Sequence, residues 1–243
     1  MALENTRWPY GTLAQAEMEG AIAAFQGPHR WLSNFVGAST IYGRPTASVE
    51  AGFVAAKLVP PSMRDDAAGH AALRVLEQAL GKAALDAQDP SLSPTWRAID
   101  LILAMPAAQA KKIGRALPLR PDWETARPDG LLVKEWTLLT LTRRKYAQNP
   151  DLRAKLLATG PALILEGNTW GDTRWGVIDT RTGVQGANRA GLIAMAVREE
   201  CGGRGVPEDV PAALPRYAGR GLEPAPAQTA PQPTARRGAG MER

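Results

Sequence analysis

Two stretches with helical hydrophobic spacing frame the chain. Over residues 49–58, Val49, Phe53 and Ala56 fall on one face, and Glu50, Val54 and Lys57 fall on the adjoining one. Ser48 is a good N-cap and starts this helix at Val49. Over 189–200, Leu192, Ile193, Ala196 and Val197 mark a second core-facing helix, with Asn188 as its expected cap. The same spacing predicts helices over 62–88 (with its apolar positions in 71–85), 96–105, 107–115, 130–146 and 151–157, and a weaker one over 13–23. Pro60-Pro61, Asn149-Pro150 and Thr159-Gly160 act as stops. Strand signals are few. Ser39-Thr40-Ile41-Tyr42 is β-rich and closes in a hairpin-like turn at Gly43-Arg44-Pro45. Residues 25–28 end a short strand in a turn, and 161–166 read as another strand. Residues 168–176 are a loop and 180–186 a turn.

Composition narrows the class. The chain has 243 residues, of which 44% are hydrophobic, enough for one well-packed domain with appendages. Its formal charge is +5 and its pI about 9.6, which fits either a solvated basic surface or attraction to phosphates. The one cysteine, Cys201, cannot form an internal disulfide. With His29 and His70 it is too few for a usual zinc site, so no metal and no cofactor are expected. No apolar run reaches membrane-spanning length and the first residues carry no signal-peptide core, so no membrane partner is expected and the expected location is the cytoplasm. Residues 202–243 are rich in Pro, Ala, Gly and Arg and are expected to form a disordered tail.

Candidate chemistry concentrates in 166–198. This span holds Trp170-Gly171, Asp172, Trp175-Gly176 and the turn Gly186-Ala187-Asn188-Arg189-Ala190-Gly191, which opens the last helix. Such a helix start offers backbone N–H groups to an anion, although a Gly-Asn start is as often structural. Residues 25–58 complete the set. Glu50 lies in a first helical turn, where the macrodipole favours its ionised form; it can equally be a surface charge. Lys112 and Arg115, in a basic run, point toward phosphate or simply toward solvent. Trp123 is either a core anchor or a stacking platform. Together these residues suggest a pocket for a nucleotide-like sugar.

Seven short motifs, in order, resemble the YbiA/NADAR-type family. They are Leu32-Ser33-Asn34-Phe35; Ser48-Val49-Glu50 with Ala55-Ala56-Lys57; Ala110-Lys111-Lys112-Ile113-Gly114-Arg115; Leu119-Arg120-Pro121-Asp122-Trp123; Leu156-Leu157-Ala158-Thr159-Gly160; Gly167-Asn168-Thr169-Trp170-Gly171-Asp172 with Trp175-Gly176; and Gly186 to Gly191. The resemblance implies an α+β, mainly helical fold: a single compact domain over 25–201 with a few short strands and an insertion around 62–95. Residues 1–24 would be an N-terminal extension. It further implies hydrolysis of an N-glycosidic bond between ribose and a nitrogen base, in a riboflavin-pathway ribosylaminopyrimidine or in ADP-ribosylated guanine. The partner would then be a ribosylated small molecule or an ADP-ribosylated DNA or RNA. The family usually has His after the glutamate; here Ala51 stands there. Another departure is Ala190, where Leu is usual.

On this reading Glu50, Asp172 and Trp123 are the catalytic residues. Glu50 binds ribose and activates water, Asp172 positions the water or the leaving group, and Trp123 stacks on the base or walls the pocket. Asn34, Lys57, Arg115, Trp170, Trp175, Gly176, Asn188 and Arg189 bind substrate. A competing class is a module that binds ADP-ribose or a nucleotide without cutting it. A third is a nucleic-acid-binding protein recruited by its basic surface, which predicts strong salt dependence and no need for Glu50. The oligomeric state stays open.

Overall fold

The computed structural model describes residues 3–58, 67–207, 210, 211 and 217. Most of the expected tail, and residues 62–66 of the expected insertion, lie outside these residues.

Leu3–Asn5 is a 3-10 turn, followed by helix α1, Leu13–Met18, capped by the Thr12 hydroxyl. A 3-10 helix, Gly27–Leu32, leads to β1, Ser39–Ile41, and β2, Arg44–Thr46. These two pair antiparallel, with Thr40 opposite Pro45. Helix α2 is Val49–Ala55, and the Ser48 hydroxyl accepts the Ala51 N–H at 3.1 Å, as the sequence predicts. Then come α3, Ala67–Leu80; α4, Lys82–Asp86; α5, Pro94–Leu103; and α6, Ala107–Ile113. Helix α7, Val133–Gln148, is the longest among the described residues, and Pro150 ends it and starts α8, Pro150–Ala158. Strands β3, Ile178–Thr180, and β4, Gly183–Gln185, precede α9, Arg189–Glu200. The fold is α+β and mainly helical.

Short α2 sits at the centre and packs against α5, α6 and α7. Helix α7 also packs against α9 and β1, and α3 against α5. The buried side chains that join these layers include Val49, Val54, Ile99, Ile102, Leu141, Leu156, Leu192 and Met195. Among the described residues no helix is long and apolar enough to cross a membrane.

Several expected elements differ. The helical stretch expected over 62–88, of which 62–66 lie outside the described residues, breaks at Gly81, whose φ of +83° cannot continue a right-handed helix. The first helix stops at Met18 rather than Ala23, and α7 begins at Val133 rather than Gly130. Residues 27–32 form a 3-10 helix where a strand end was expected. The expected turn over 180–186 belongs instead to the β3–β4 hairpin. The expected strand over 161–166 is an extended segment with only isolated parallel bridges, Ile164 to Ile22 and Gly167 to Val177. The N-terminal residues pack on the core. The Trp8 N–H donates to the Val184 carbonyl at 3.0 Å, its indole N–H donates to the Gly186 carbonyl at 2.9 Å, and its ring is buried.

Candidate active site

Helix α2 brings two ionisable groups to the middle of the molecule. The Ser48 cap sets its register, so Glu50 emerges from the first turn and Lys57 just past the last. The Glu50 N–H donates to the Asn34 carbonyl at 2.9 Å, which ties α2 to the loop after Leu32. That loop is held from below by Lys145 of α7. Its Nζ donates to the carbonyls of Trp31 at 2.8 Å, Leu32 at 3.3 Å and Ser33 at 2.9 Å. Burial pushes the Lys145 amine down to about 7. Lys57 Nζ donates to the Gly114 carbonyl at the end of α6, at 2.6 Å.

The half-buried Glu50 does not behave as a simple helix-start anion. Burial raises its proton affinity above the ordinary carboxylate range, and Lys111 and then Lys57 oppose that rise. The expected macrodipole effect of a seven-residue helix is therefore outweighed by desolvation, and nearby lysines supply the opposing charge. Lys57 is affected in turn: burial lowers its affinity for the proton and Glu50 raises it.

A third carboxyl comes from the extended segment 163–168. The Glu166 N–H donates to Asn188 Oδ1 at 2.9 Å, and its carbonyl accepts the Val177 N–H at 3.0 Å. Gly176 lies flush against that carbonyl. A Cβ at Gly176 would overlap the Glu166 oxygen and also crowd the Asn168 side-chain amide. Glu166 is only partly exposed, and its Oε2 is enclosed with no hydrogen-bond partner among the described residues. Burial, and then the neighbouring Asp172, push this carboxyl up to about 8, opposed by Lys111; Glu50 adds a smaller push upward.

Asp172 is positioned by its own loop. Its Oδ1 accepts the N–H groups of Arg174 at 3.1 Å and Trp175 at 2.9 Å. Asn168 clamps its backbone from both sides, with Nδ2 donating to the Asp172 carbonyl at 2.8 Å and Oδ1 accepting the Asp172 N–H at 2.9 Å. Glu166 thus lies within electrostatic reach of Asp172, Lys111 and Glu50, and Glu50 within reach of Lys111 and Lys57.

Aromatic rings border this cluster. Trp170 is 58% exposed, and Lys111 Nζ stands 5.7 Å from its ring centroid and 5.6 Å from that of Phe35. Phe53 of α2 lies between Trp123 at 5.0 Å and Trp175 at 5.5 Å, the latter edge-on. Trp123 is buried, so it is a core anchor behind Phe53 rather than an open stacking surface.

Other expected binding residues point elsewhere. Asn188 does not cap α9 through its side chain; it is fully buried in a left-handed conformation, φ +46°. Its amide is spent on Glu166 and on the Ile164 carbonyl, at 2.8 Å, so it straps α9 to the segment that carries Glu166. The helix start is not open to an anion either. The N–H groups of Ala187, Asn188, Arg189 and Ala190 donate to the carbonyls of Thr173, Gly176, Arg174 and Trp175. The buried Arg189 pairs with Glu135 of α7, Nε to Oε1 at 3.1 Å. Gly176 is buried against backbone, and Arg115 is exposed one helical turn beyond Lys111. Of the basic run on α6, it is Lys111 that faces the carboxylates, rather than Lys112 or Arg115. Sequence reasoning missed Glu166, Lys111 and Phe35. The one available signal for Glu166 was an acid directly after the apolar run Leu163-Ile164-Leu165, a place where a carboxyl is carried into the interior.

The chain is similar to N-glycosidase YbiA of Escherichia coli (strain K12) and of Shigella boydii serotype 4 (strain Sb227), 41% identical over 86 residues in each case. That alignment takes in 35% of this chain and 47% of each relative, so the chain spans about half the length of the curated relatives it matches. It is also similar to the NMR structure of the E. coli protein YbiA, at 26% identity and a TM-score of 0.48, over 74% of this chain and 82% of that one. No protein-family model matches. The chain thus shares sequence with proteins named N-glycosidase YbiA over part of its length, a stretch too short to hold all seven motifs, which run from residue 32 to 191.

Proposed function

We propose that this protein is an N-glycosidase that hydrolyses the bond between a ribose and a nitrogen base. The observation that carries the reading is Lys111, which acts on both Glu50 and Glu166 and stands 5.7 Å from the exposed Trp170 ring, with Asp172 beside Glu166 and Lys57 beside Glu50. The curated relatives named N-glycosidase support it. Substrates of the fitting class carry a ribosyl phosphate or ADP-ribose on a base: a ribosylaminopyrimidine of riboflavin synthesis, or guanine ADP-ribosylated in DNA or RNA.

Cleavage of a ribosyl C–N bond builds positive charge at C1′ and on the ring oxygen, as in glycoside hydrolysis. Carboxylates beside C1′ stabilise that charge. Glu50 takes a proton from the attacking water, and Asp172, fixed by its own turn, orients water or leaving group. Lys57 and Lys111 keep Glu50 toward its anionic form and attract the phosphate or ribose oxygens. Trp170 offers the base a flat apolar face.

The test is mass-spectrometric detection of the released sugar. Wild type and Glu50→Gln are incubated with an oligonucleotide ADP-ribosylated on guanine and, in parallel, with ribosylaminopyrimidine phosphate. Turnover that falls by about 10²–10⁴-fold in the variant is expected, the usual contribution of a positioned acid–base group. A loss below about tenfold counts against the base role. Tight ADP-ribose binding without turnover of either substrate would leave a non-catalytic binding module.

A further inference from the structure

Of the three carboxyls, Glu166 is the one that neither the motifs nor the water-activating role of Glu50 accounts for. Its backbone is fixed on three sides: by Asn188 Oδ1, by the Val177 N–H, and by Gly176 pressed against its carbonyl. A main chain held so closely leaves the side chain little choice of direction. Its Oε2 is enclosed and lacks a partner among the described residues, a costly arrangement for an anion and a cheap one for a neutral carboxyl. The groups that face it are Asp172 from the loop beyond Asn168, Glu50 from α2 and Lys111 from α6. Two of these are acids, and the lysine is shared with Glu50.

We propose that Glu166 is the general acid of the site, holding the proton that the departing base receives. This deepens the N-glycosidase reading and rests on it. As the C1′–N bond breaks, its electron pair leaves with the nitrogen, and the Glu166 proton neutralises it there. Water adds to C1′ through oxygen and gives its proton to Glu50. Glu50 then carries a proton and Glu166 none; exchange of one proton through solvent restores both, so the sum is water plus riboside giving free sugar plus free base. The division of labour follows from environment. The charges acting on Glu50 are two lysines, and it works as an anion, while the largest charged influence on Glu166 is an acid, and it keeps its proton.

The experiment measures kcat/KM from pH 5.5 to 9.5, on whichever ribosyl substrate turns over, for wild type, Glu166→Gln and Glu166→Asp. Wild type is expected to lose activity as pH rises through about 8, where the acid form disappears. Glu166→Gln should be slower at pH 7 by about 10²-fold or more and should lack that alkaline decline, because the amide does not titrate. Glu166→Asp keeps a carboxyl and should keep the decline at a reduced rate. A Gln variant within tenfold of wild type, or one with the same alkaline decline, overturns the assignment while leaving the N-glycosidase reading intact. If Glu166→Gln does not fold, the Asp variant and the wild-type profile decide: a flat rate between pH 7 and 9.5 overturns it. A wild type that turns over no riboside removes both.

Discussion

Replacing Glu166 with glutamine should change how stability depends on pH, in a direction the structure sets. In the folded chain this carboxyl is pushed from its ordinary 4.5 up to about 8, first by burial and then by Asp172. The folded state therefore holds the proton more tightly than the unfolded one. Between those two values the unfolded chain has already released it. Stability from this group is fully present below about pH 4.5 and is lost as pH rises through about 8. Each tenfold in proton affinity is about 1.36 kcal/mol, so the full effect is on the order of 5 kcal/mol. Glutamine has nearly the same shape and does not ionise, so its own hydrogen-bonding cost is constant across the window. The assay is urea denaturation of wild type and Glu166→Gln at intervals from pH 5 to 8.5. Groups common to both chains cancel in the difference. The variant's stability relative to wild type should climb by about 4 kcal/mol across that range. A difference flat to within about 0.5 kcal/mol would mean that the carboxyl is solvated or paired, and the reasoning about its environment would be wrong.

Two further substitutions separate scaffold from binding surface. Asn188→Ala removes the acceptor for the Glu166 N–H and the donor to the Ile164 carbonyl, and puts alanine at φ +46°. With two buried backbone groups left unpaired at about 1–3 kcal/mol each, a loss of about 2–5 kcal/mol is expected by chemical denaturation, and a loss below about 1 would mean the strap is not holding. Trp170→Ala should leave stability within about 0.5 kcal/mol, since the ring is 58% exposed. It should weaken substrate or ADP-ribose binding by roughly 5- to 100-fold in calorimetry, the range of about 1–3 kcal/mol per stacked base; an unchanged affinity would show that the base does not rest there.

What could be read along the chain was whatever is decided within a turn or two of it. The start of α2 follows from a serine hydroxyl three residues from the N–H it accepts, and α9 from the spacing of Leu192, Ile193, Ala196 and Val197. The α+β class followed from the resemblance carried by the short motifs, and the same motifs made Glu50, Lys57 and Asp172 legible as candidates. The rest was decided by neighbours far away in sequence. Three-residue strands such as β3 and β4 show no period of their own, and the Trp8 segment finds its place only against Val184 and Gly186. Locally, Asn188 has the composition of a helix cap. Its fixed left-handed backbone instead turns the amide back onto Glu166 and Ile164, 22 and 24 residues earlier. Lys111 and Lys112 are equivalent in sequence, and only the packing of α6 against α2 selects the one that faces Glu50. The protonation of Glu166 is the clearest case. It depends on desolvation and on charges carried by α2, α6 and the Asp172 loop. Such effects depend on distance in space, which tertiary packing decides and sequence separation does not record.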